Sequence, residues 1–230
     1  MWNLPLDLLF PKHSLHGSEG EWITDEERQR MKLEPIRLHR ELLRKRNITS
    51  LDCLIAAGSY QSSPLLKKAI RTFKYGRISE LGPELAEHIL SALPGLLLLP
   101  LEKNHTFNRT HSTLHSEPVL VPVPLHWTRL HHRGFNQASI LAKTIGEKKG
   151  WPVAELLKRT RQTGHQAWRK RAERLASMTN AFAYIGPSPA PRYVLLVDDI
   201  ATTCATLDAC AKTLKETGVQ HVVGLVVAYG

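Results

Sequence analysis

Three cysteines in 230 residues, Cys53, Cys204 and Cys210, with no CxxC pair among them, are too few and too scattered for a disulfide framework or a thiolate zinc site. That scarcity fits a reducing compartment, and the expected location is cytoplasmic. Long apolar runs are lacking too. The greasiest stretch, residues 89–101, is shorter than the roughly 20 residues of a membrane-spanning helix and is broken by Pro94 and Pro100. The opening Met1-Trp2-Asn3-Leu4-Pro5 has no basic segment, and its apolar character stops at Lys12, which excludes a secretory signal pattern. No membrane insertion is expected. Acid is scarce relative to base, with 21 Asp and Glu against 31 Lys and Arg and a formal charge of +10, so an anionic partner such as nucleic acid or a polyphosphate would be drawn to the chain. Charge alone does not select nucleic acid, because many soluble proteins are basic and the chain carries no recognisable nucleic-acid module.

What is present is an ordinary globular composition: 42% hydrophobic and 23% charged residues, with 14 Gly and 14 Pro. This excludes collagen-like, coiled-coil and wholly disordered chains and leaves enough length for a sizeable α/β core. Residues 1–50 are charged and short of β-branched side chains, with a helix predicted over Asp25-Glu26-Glu27-Arg28-Gln29-Arg30 behind Thr24 as N-cap. They read as a small cap with little core. Residues 51–230 read as the main domain. Strand character over residues 51–60 is followed by a helix that starts at Ser63-Pro64, carries Leu65, Leu66, Ala69, Ile70 and Phe73 at helical spacing, and ends at Gly76. A second helix spans about residues 79–93, and residues 103–117 are aperiodic and read as a loop. The apolar run 119–124, ended by prolines, reads as a buried parallel strand, and helical periodicity resumes at Asn136. Residues 158–175 hold Lys158, Arg159, Arg161, Arg169, Lys170, Arg171 and Arg174 with hardly any acid, the composition expected of a loop that moves. Residues 193–197 form the clearest central strand. Two acids, a Thr-rich turn, a helix over about 205–217 ended by Gly218, and a strand over 221–228 follow it. The alternation predicts an α/β fold with a mostly parallel sheet flanked by helices.

The strongest chemical signal is Val194-Leu195-Leu196-Val197-Asp198-Asp199-Ile200-Ala201-Thr202-Thr203-Cys204-Ala205-Thr206. A buried strand delivers two carboxylates and a hydroxyl-rich loop to the carboxyl edge of a sheet, where a helix begins. Ligands of open α/β folds bind at that edge, and the unpaired N–H groups at the start of the helix suit a phosphate. Adjacent carboxylates suit the vicinal hydroxyls of a ribose, so a ribose phosphate is the natural guest. By pattern alone, two acids after a strand also read as a metal-binding or structural pair.

These residues resemble the phosphoribosyl pyrophosphate (PRPP) fingerprint of type I phosphoribosyltransferases. A second block, Val121-Pro122-Val123-Pro124-Leu125-His126-Trp127-Thr128-Arg129-Leu130-His131-His132-Arg133-Gly134-Phe135-Asn136-Gln137, is similar to the signature of the ComF/GntX family of phosphoribosyltransferase-like proteins. Further similarity lies in Phe73-Lys74-Tyr75-Gly76, in Arg159-Thr160-Arg161 with Gln166, and from Arg171 to Asn180-Ala181-Phe182, covering about residues 55–230. The resemblance implies a type I phosphoribosyltransferase-like sheet flanked by helices with a small N-terminal cap. It implies that Asp198 and Asp199 hold ribose hydroxyls and that Ala201, Thr202, Thr203, Cys204, Ala205 and Thr206 hold the 5′-phosphate. It further implies that Val123, Pro124, Leu125, Arg129 and Arg133 form the pyrophosphate loop. Arg133, Arg159 and Arg161 are the candidates for steadying leaving-group charge. Arg133 has an alternative reading as a turn cap, and Asn136 as the cap of the following helix. No general base is assigned. The implied cofactor is Mg2+ held by the substrate and waters, with no protein metal ligand.

Two functions follow from the resemblance. One is phosphoribosyl transfer from PRPP to an unassigned acceptor. The alternative is a non-catalytic competence or DNA-utilisation factor that binds single-stranded DNA or senses PRPP, for which Trp127, Trp151 and Trp168 near the basic segments could stack bases or belong to the core and rim. Two departures stand out. Cys204 replaces the family's usual glycine; a left-handed backbone there would be strained and would impair phosphate binding, whereas a negative φ would accommodate a small side chain. A reactive thiol at a helix N-terminus and a buried small residue are the two readings of that sulfur. At the amino terminus, where the family's zinc module begins, Ser14, Gly17, Thr24 and Glu27 stand in the cysteine positions, so no zinc is expected. His13, His16, His105, His111 and His115 are isolated histidines in polar surroundings and read as solvated. Packing of helices is expected to hold the cap instead.

Overall fold

Runs of Val, Leu and Ile bounded by Gly and Pro supply the strands of a computed structural model, which describes residues 14–15, 17, 21–31, 34–76, 78–93, 117–160 and 181–230. In chain order these are α1 (Asp25–Arg30), β1 (Ile36–His39), α2 (Arg40–Arg44), β2 (Cys53–Ser59), α3 (Pro64–Tyr75), α4 (Leu81–Ala92), β3 (Val119–Pro122), α5 (Trp127–Arg133), α6 (Gln137–Lys149), β4 (Leu157–Arg159), β5 (Phe182–Tyr184), β6 (Tyr193–Ala201), α7 (Ala205–Glu216) and β7 (His221–Tyr229). Five strands form one sheet in the order β1-β2-β7-β6-β3, and β4 pairs with β5 in a separate two-stranded ribbon. Within the main sheet only the β1–β2 pairing is antiparallel. The sheet is thus mostly parallel and flanked by helices, as the sequence pattern predicts.

Strand side chains alternate between faces, so consecutive apolar residues serve two cores. Leu195 and Val197 of β6 pack with Phe73 of α3, Leu85 of α4 and Leu141 of α6. Val194 and Leu196 pack on the opposite face with Leu207 and Leu214 of α7. Helix starts follow their caps: Ser63 accepts from the Leu66 N–H ahead of Pro64, and Thr24 and Glu27 form a reciprocal capping box.

Three sequence expectations are corrected. β6 does not stop at Val197 but runs to Ala201, because β7 offers partners that far, Asp198 opposite Val226 and Ile200 opposite Ala228. The basic stretch does not begin as a loop at Lys158: residues 157–159 are β4, whose Arg159 pairs with Phe182 across the ribbon. The first fifty residues are not poor in core. Ile23, Met31, Leu43 and Ile48 are at most 1% exposed, and β1 supplies the edge strand of the main sheet. Arg28 donates to Glu84 of α4 from Nη2 to both carboxylate oxygens at 3.0 and 2.9 Å and from Nε at 3.3 Å, tying α1 to the body of the protein. The expected loop at 103–117 lies outside the described residues except Glu117, as do His13, His16, His105, His111 and His115. Among the described residues no group of three or more His, Cys, Asp or Glu is arranged to hold a metal ion, and no helix is long and apolar enough to cross a membrane.

Candidate functional site

The site lies where β3 and β6 end. Val123 continues the sheet, its N–H donating to the Val197 carbonyl at 2.9 Å. Its own carbonyl accepts from Asn136 Nδ2 at 3.1 Å, while Asn136 Oδ1 accepts from the Ala138 N–H at 3.1 Å. Asn136 therefore both caps α6 and ties down the connection. Between them Pro124 and Leu125, half-buried, lead into α5, a helix the sequence reading did not anticipate. His126 caps it, accepting from the Thr128 N–H through Nδ1, and Gly134 ends it at φ +82°, a left-handed turn that glycine adopts without strain. Phe135 then packs on Phe73 with ring centroids 5.5 Å apart, which holds α5 against the end of α3.

This packing makes a basic cleft. Arg129 and Arg133, four residues apart on one face of α5, line a cavity of about 290 Å³ with Lys74 and Tyr75 of α3 and His132. The Arg133 guanidinium lies 5.5 Å from the centroid of the Tyr75 ring and donates to Gln137 Oε1 at 3.0 Å. Arg159 on β4 sits over the Phe182 ring at 5.4 Å. Burial, and then the charge of Arg133, holds Arg129 below the usual guanidinium value; burial and then Arg129 do the same to Arg159. Burial is the larger cause for both arginines, and nearby carboxylates oppose it.

The acid pair faces this cluster. Asp199 meets Lys74 of α3, and Asp198 lies within electrostatic reach of Lys74, Arg133 and Arg159 and of Cys210 in α7. Asp199 is buried and forms an ion pair with Lys74 at 2.8 Å, with only 6% and 14% of the two side chains exposed. Asp198 accepts from the Asp199 N–H at 2.8 Å. Burial, then the neighbouring Asp199 charge, raises the Asp198 carboxyl to about 7, against the opposing influence of Lys74 and Arg133.

Ala201 closes β6 and does not belong to the loop. Thr202 is exposed, Thr203 and Thr206 are half-buried, and Ala205 is buried at the first turn of α7. Thr203 Oγ1 accepts from the Ala205 N–H at 3.4 Å. Cys204 takes φ +61° and ψ +3°, the left-handed conformation, and its side chain makes no capping hydrogen bond to α7. Its thiol is packed into the core cluster with Leu207 and Ala211. Of the two backbone alternatives, the strained one is realised.

The structure thus places Asp198, Asp199, Arg129, Arg133 and Arg159 around one edge, with the 201–206 segment running on from the acids. Arg161, Gln166, Trp168 and Arg171 lie outside the described residues. Trp151 is half-buried, while Trp127 is 72% exposed at the start of α5. Sequence reasoning quoted Lys74 only as part of a segment and missed its place in the site. The signal was its position one residue past buried Phe73, at the carboxyl end of an amphipathic helix leading to the sheet edge.

Fold and cleft together define a mixed α/β protein with a mostly parallel sheet, consistent with a phosphoribosyltransferase-like architecture. A scan against protein-family models finds no match. The chain is 33% identical over 172 residues to the DNA utilization protein YhgH of Escherichia coli, covering 74% of this chain and 68% of that protein. It is 33% identical over 117 residues to competence protein F of Haemophilus influenzae, covering 50% of this chain and 51% of that one. With competence protein ComFC of Bacillus subtilis it shares 35% identity over 113 residues, 49% of this chain and 44% of that one. The chain belongs to the ComF family. It spans about half the length of these competence proteins.

Proposed function

We propose that this protein binds PRPP at the carboxyl edge of β3 and β6 and serves a competence or DNA-utilisation role of the kind its relatives' names describe. The observation that carries the reading is the gathering of Lys74, Arg129, Arg133 and Arg159 about the adjacent carboxylates Asp198 and Asp199. In this reading the carboxylates accept hydrogen bonds from the ribose hydroxyls, N–H groups of residues 202–206 meet the 5′-phosphate, and the arginines meet the pyrophosphate. In this reading magnesium arrives with the substrate, coordinated by the substrate's own oxygens and by water. If transfer takes place, an acceptor's lone pair forms a bond to C1 of the ribose, and the bond from C1 to oxygen breaks with its electrons leaving on pyrophosphate. The cationic cleft favours that departure by stabilising the charge that develops there.

Phosphorus NMR of magnesium PRPP tests the binding. Wild-type protein is expected to broaden and shift the pyrophosphate resonances, with the effect lost in Arg133→Ala and kept in Arg192→Ala. Arg192 precedes β6 at the opposite end of the sheet. Unchanged spectra with wild type would refute the assignment.

A second reading, single-stranded DNA binding, is favoured by two exposed rings that could stack bases, Tyr75 in the cleft wall, 66% exposed, and Trp127 at the start of α5, 72% exposed. Its mark is an affinity for oligonucleotides that falls steeply with salt and shows little sequence preference. Insensitivity to salt would remove it.

A further inference from the structure

Lys74 joins the cleft wall to the acid pair by a direct ion pair. Its ammonium lies 2.8 Å from Asp199 Oδ1, both side chains nearly out of solvent, and Lys74 lines the cavity with Tyr75, Arg129, His132 and Arg133. Among the described residues no carboxylate lines that cavity. A lysine carries a compact charge on a stem of four rotatable carbons, so it reaches a second partner without any backbone movement. We propose that Lys74 is an exchanging residue, which clasps Asp199 in the ligand-free protein and moves to the phosphoryl oxygens of a ligand in the cleft, releasing Asp199 to accept ribose hydroxyls. The inference rests on the binding site proposed above and adds to it a coupling between the two halves of the ligand.

The physical reason is that a nearly buried ion pair resists opening one partner at a time. Taking away either charge leaves the other desolvated and uncompensated, a strongly unfavourable state. A phosphoryl group alone can replace Asp199 for Lys74, but it strands Asp199. A ribose alone meets a carboxylate already engaged. Only when both arrive do both charges find new partners, so each half of the ligand improves the site for the other, and by linkage the effect is reciprocal. Arg133 makes no such exchange, since its own partners are the Gln137 amide oxygen and the Tyr75 ring, so a ligand that it meets frees no carboxylate.

The test titrates ribose 5-phosphate calorimetrically into the full chain, with and without saturating magnesium pyrophosphate. Wild type is expected to bind ribose 5-phosphate about tenfold more tightly with pyrophosphate present, within the range of ordinary coupling. In Lys74→Met that factor falls to about one. Because this variant leaves Asp199 without its cation, Lys74→Met/Asp199→Asn is measured beside it; it removes both charges, and its factor is also expected to be about one. Thermal unfolding establishes that each variant is folded. If wild type binds both ligands with no coupling, or if coupling persists in the variants, the exchange is wrong while the binding site stands. If wild type binds neither ligand, the site and the exchange fall together.

Discussion

Cys204 offers a test in which the size of the effect can be worked from the backbone. Its φ of +61° places an L-residue where the side chain crowds the following carbonyl, a cost of about 1–2 kcal/mol that glycine escapes. Against this, glycine gives the unfolded chain more freedom, worth about 0.4–1 kcal/mol, and deletes a buried side chain that contributes about 1 kcal/mol. The opposing effects nearly cancel, so Cys204→Gly is expected to unfold within about 1 kcal/mol of wild type. Cys210 is the control. It is fully buried in the middle of α7, with no left-handed strain to relieve. Cys210→Gly loses the side chain, leaves a cavity and places glycine in a helix interior, for a loss of about 2 kcal/mol or more. Urea unfolding of the three proteins in reducing buffer, followed by circular dichroism, measures the gap. Equal destabilisation by the two substitutions would refute a left-handed Cys204.

Other consequences concern the ends of the sheet and its charges. Asp52 is partly buried, which alone would raise its pKa, yet hydrogen bonds from Lys215, the Val222 N–H and Arg40 hold it below its ordinary 3.8. A carboxyl depressed in the folded state stabilises fully above that value and loses its contribution as pH falls through the folded pKa. Asp52→Asn is therefore expected to cost about 2 kcal/mol at neutral pH, with the gap to wild type closing below about pH 4 in urea titrations; a gap independent of pH would contradict the assignment. Asp198 behaves in the opposite sense. Raised to about 7 from 3.8, it favours the folded state while protonated, so its contribution declines as pH rises from about 4 to 7. Asp198→Asn is expected to gain on wild type over that interval, and parallel profiles would count against the shift. Thr24→Ala removes one arm of the capping box and is expected to cost about 1 kcal/mol, measured by thermal unfolding with Thr24→Ser as the conservative control.

The parts of the fold that were legible in the sequence are those where local chemistry and tertiary setting agree. Ser63-Pro64 opens α3, Gly218 follows the end of α7, and the apolar runs of β6 and β7 form adjacent parallel strands. Where they disagree, pairing decides. Asp198 and Asp199 read as the start of a loop because carboxylates are poor strand residues, but hydrogen bonding to β7 carries the strand on through them. Lys158 and Arg159 read as loop because they are charged, although β5 gives them a partner. Ile36–His39 is four residues with one buried side chain, too weak a pattern to announce an edge strand. The backbone at Cys204 could be posed only as two alternatives, since residue type does not fix φ. The role of Lys74 depends on two elements more than a hundred residues apart meeting at one edge, which periodicity does not encode.

In the proposed site the acid pair of β6 faces the ligand. Calorimetric titration of magnesium PRPP into wild type and Asp198→Asn, at about pH 8 where the carboxylate is ionised, tests it most directly. The account predicts measurable wild-type binding that the asparagine variant, equally folded, loses by tenfold or more. Equal affinity in the two proteins, or no binding by wild type, would contradict it.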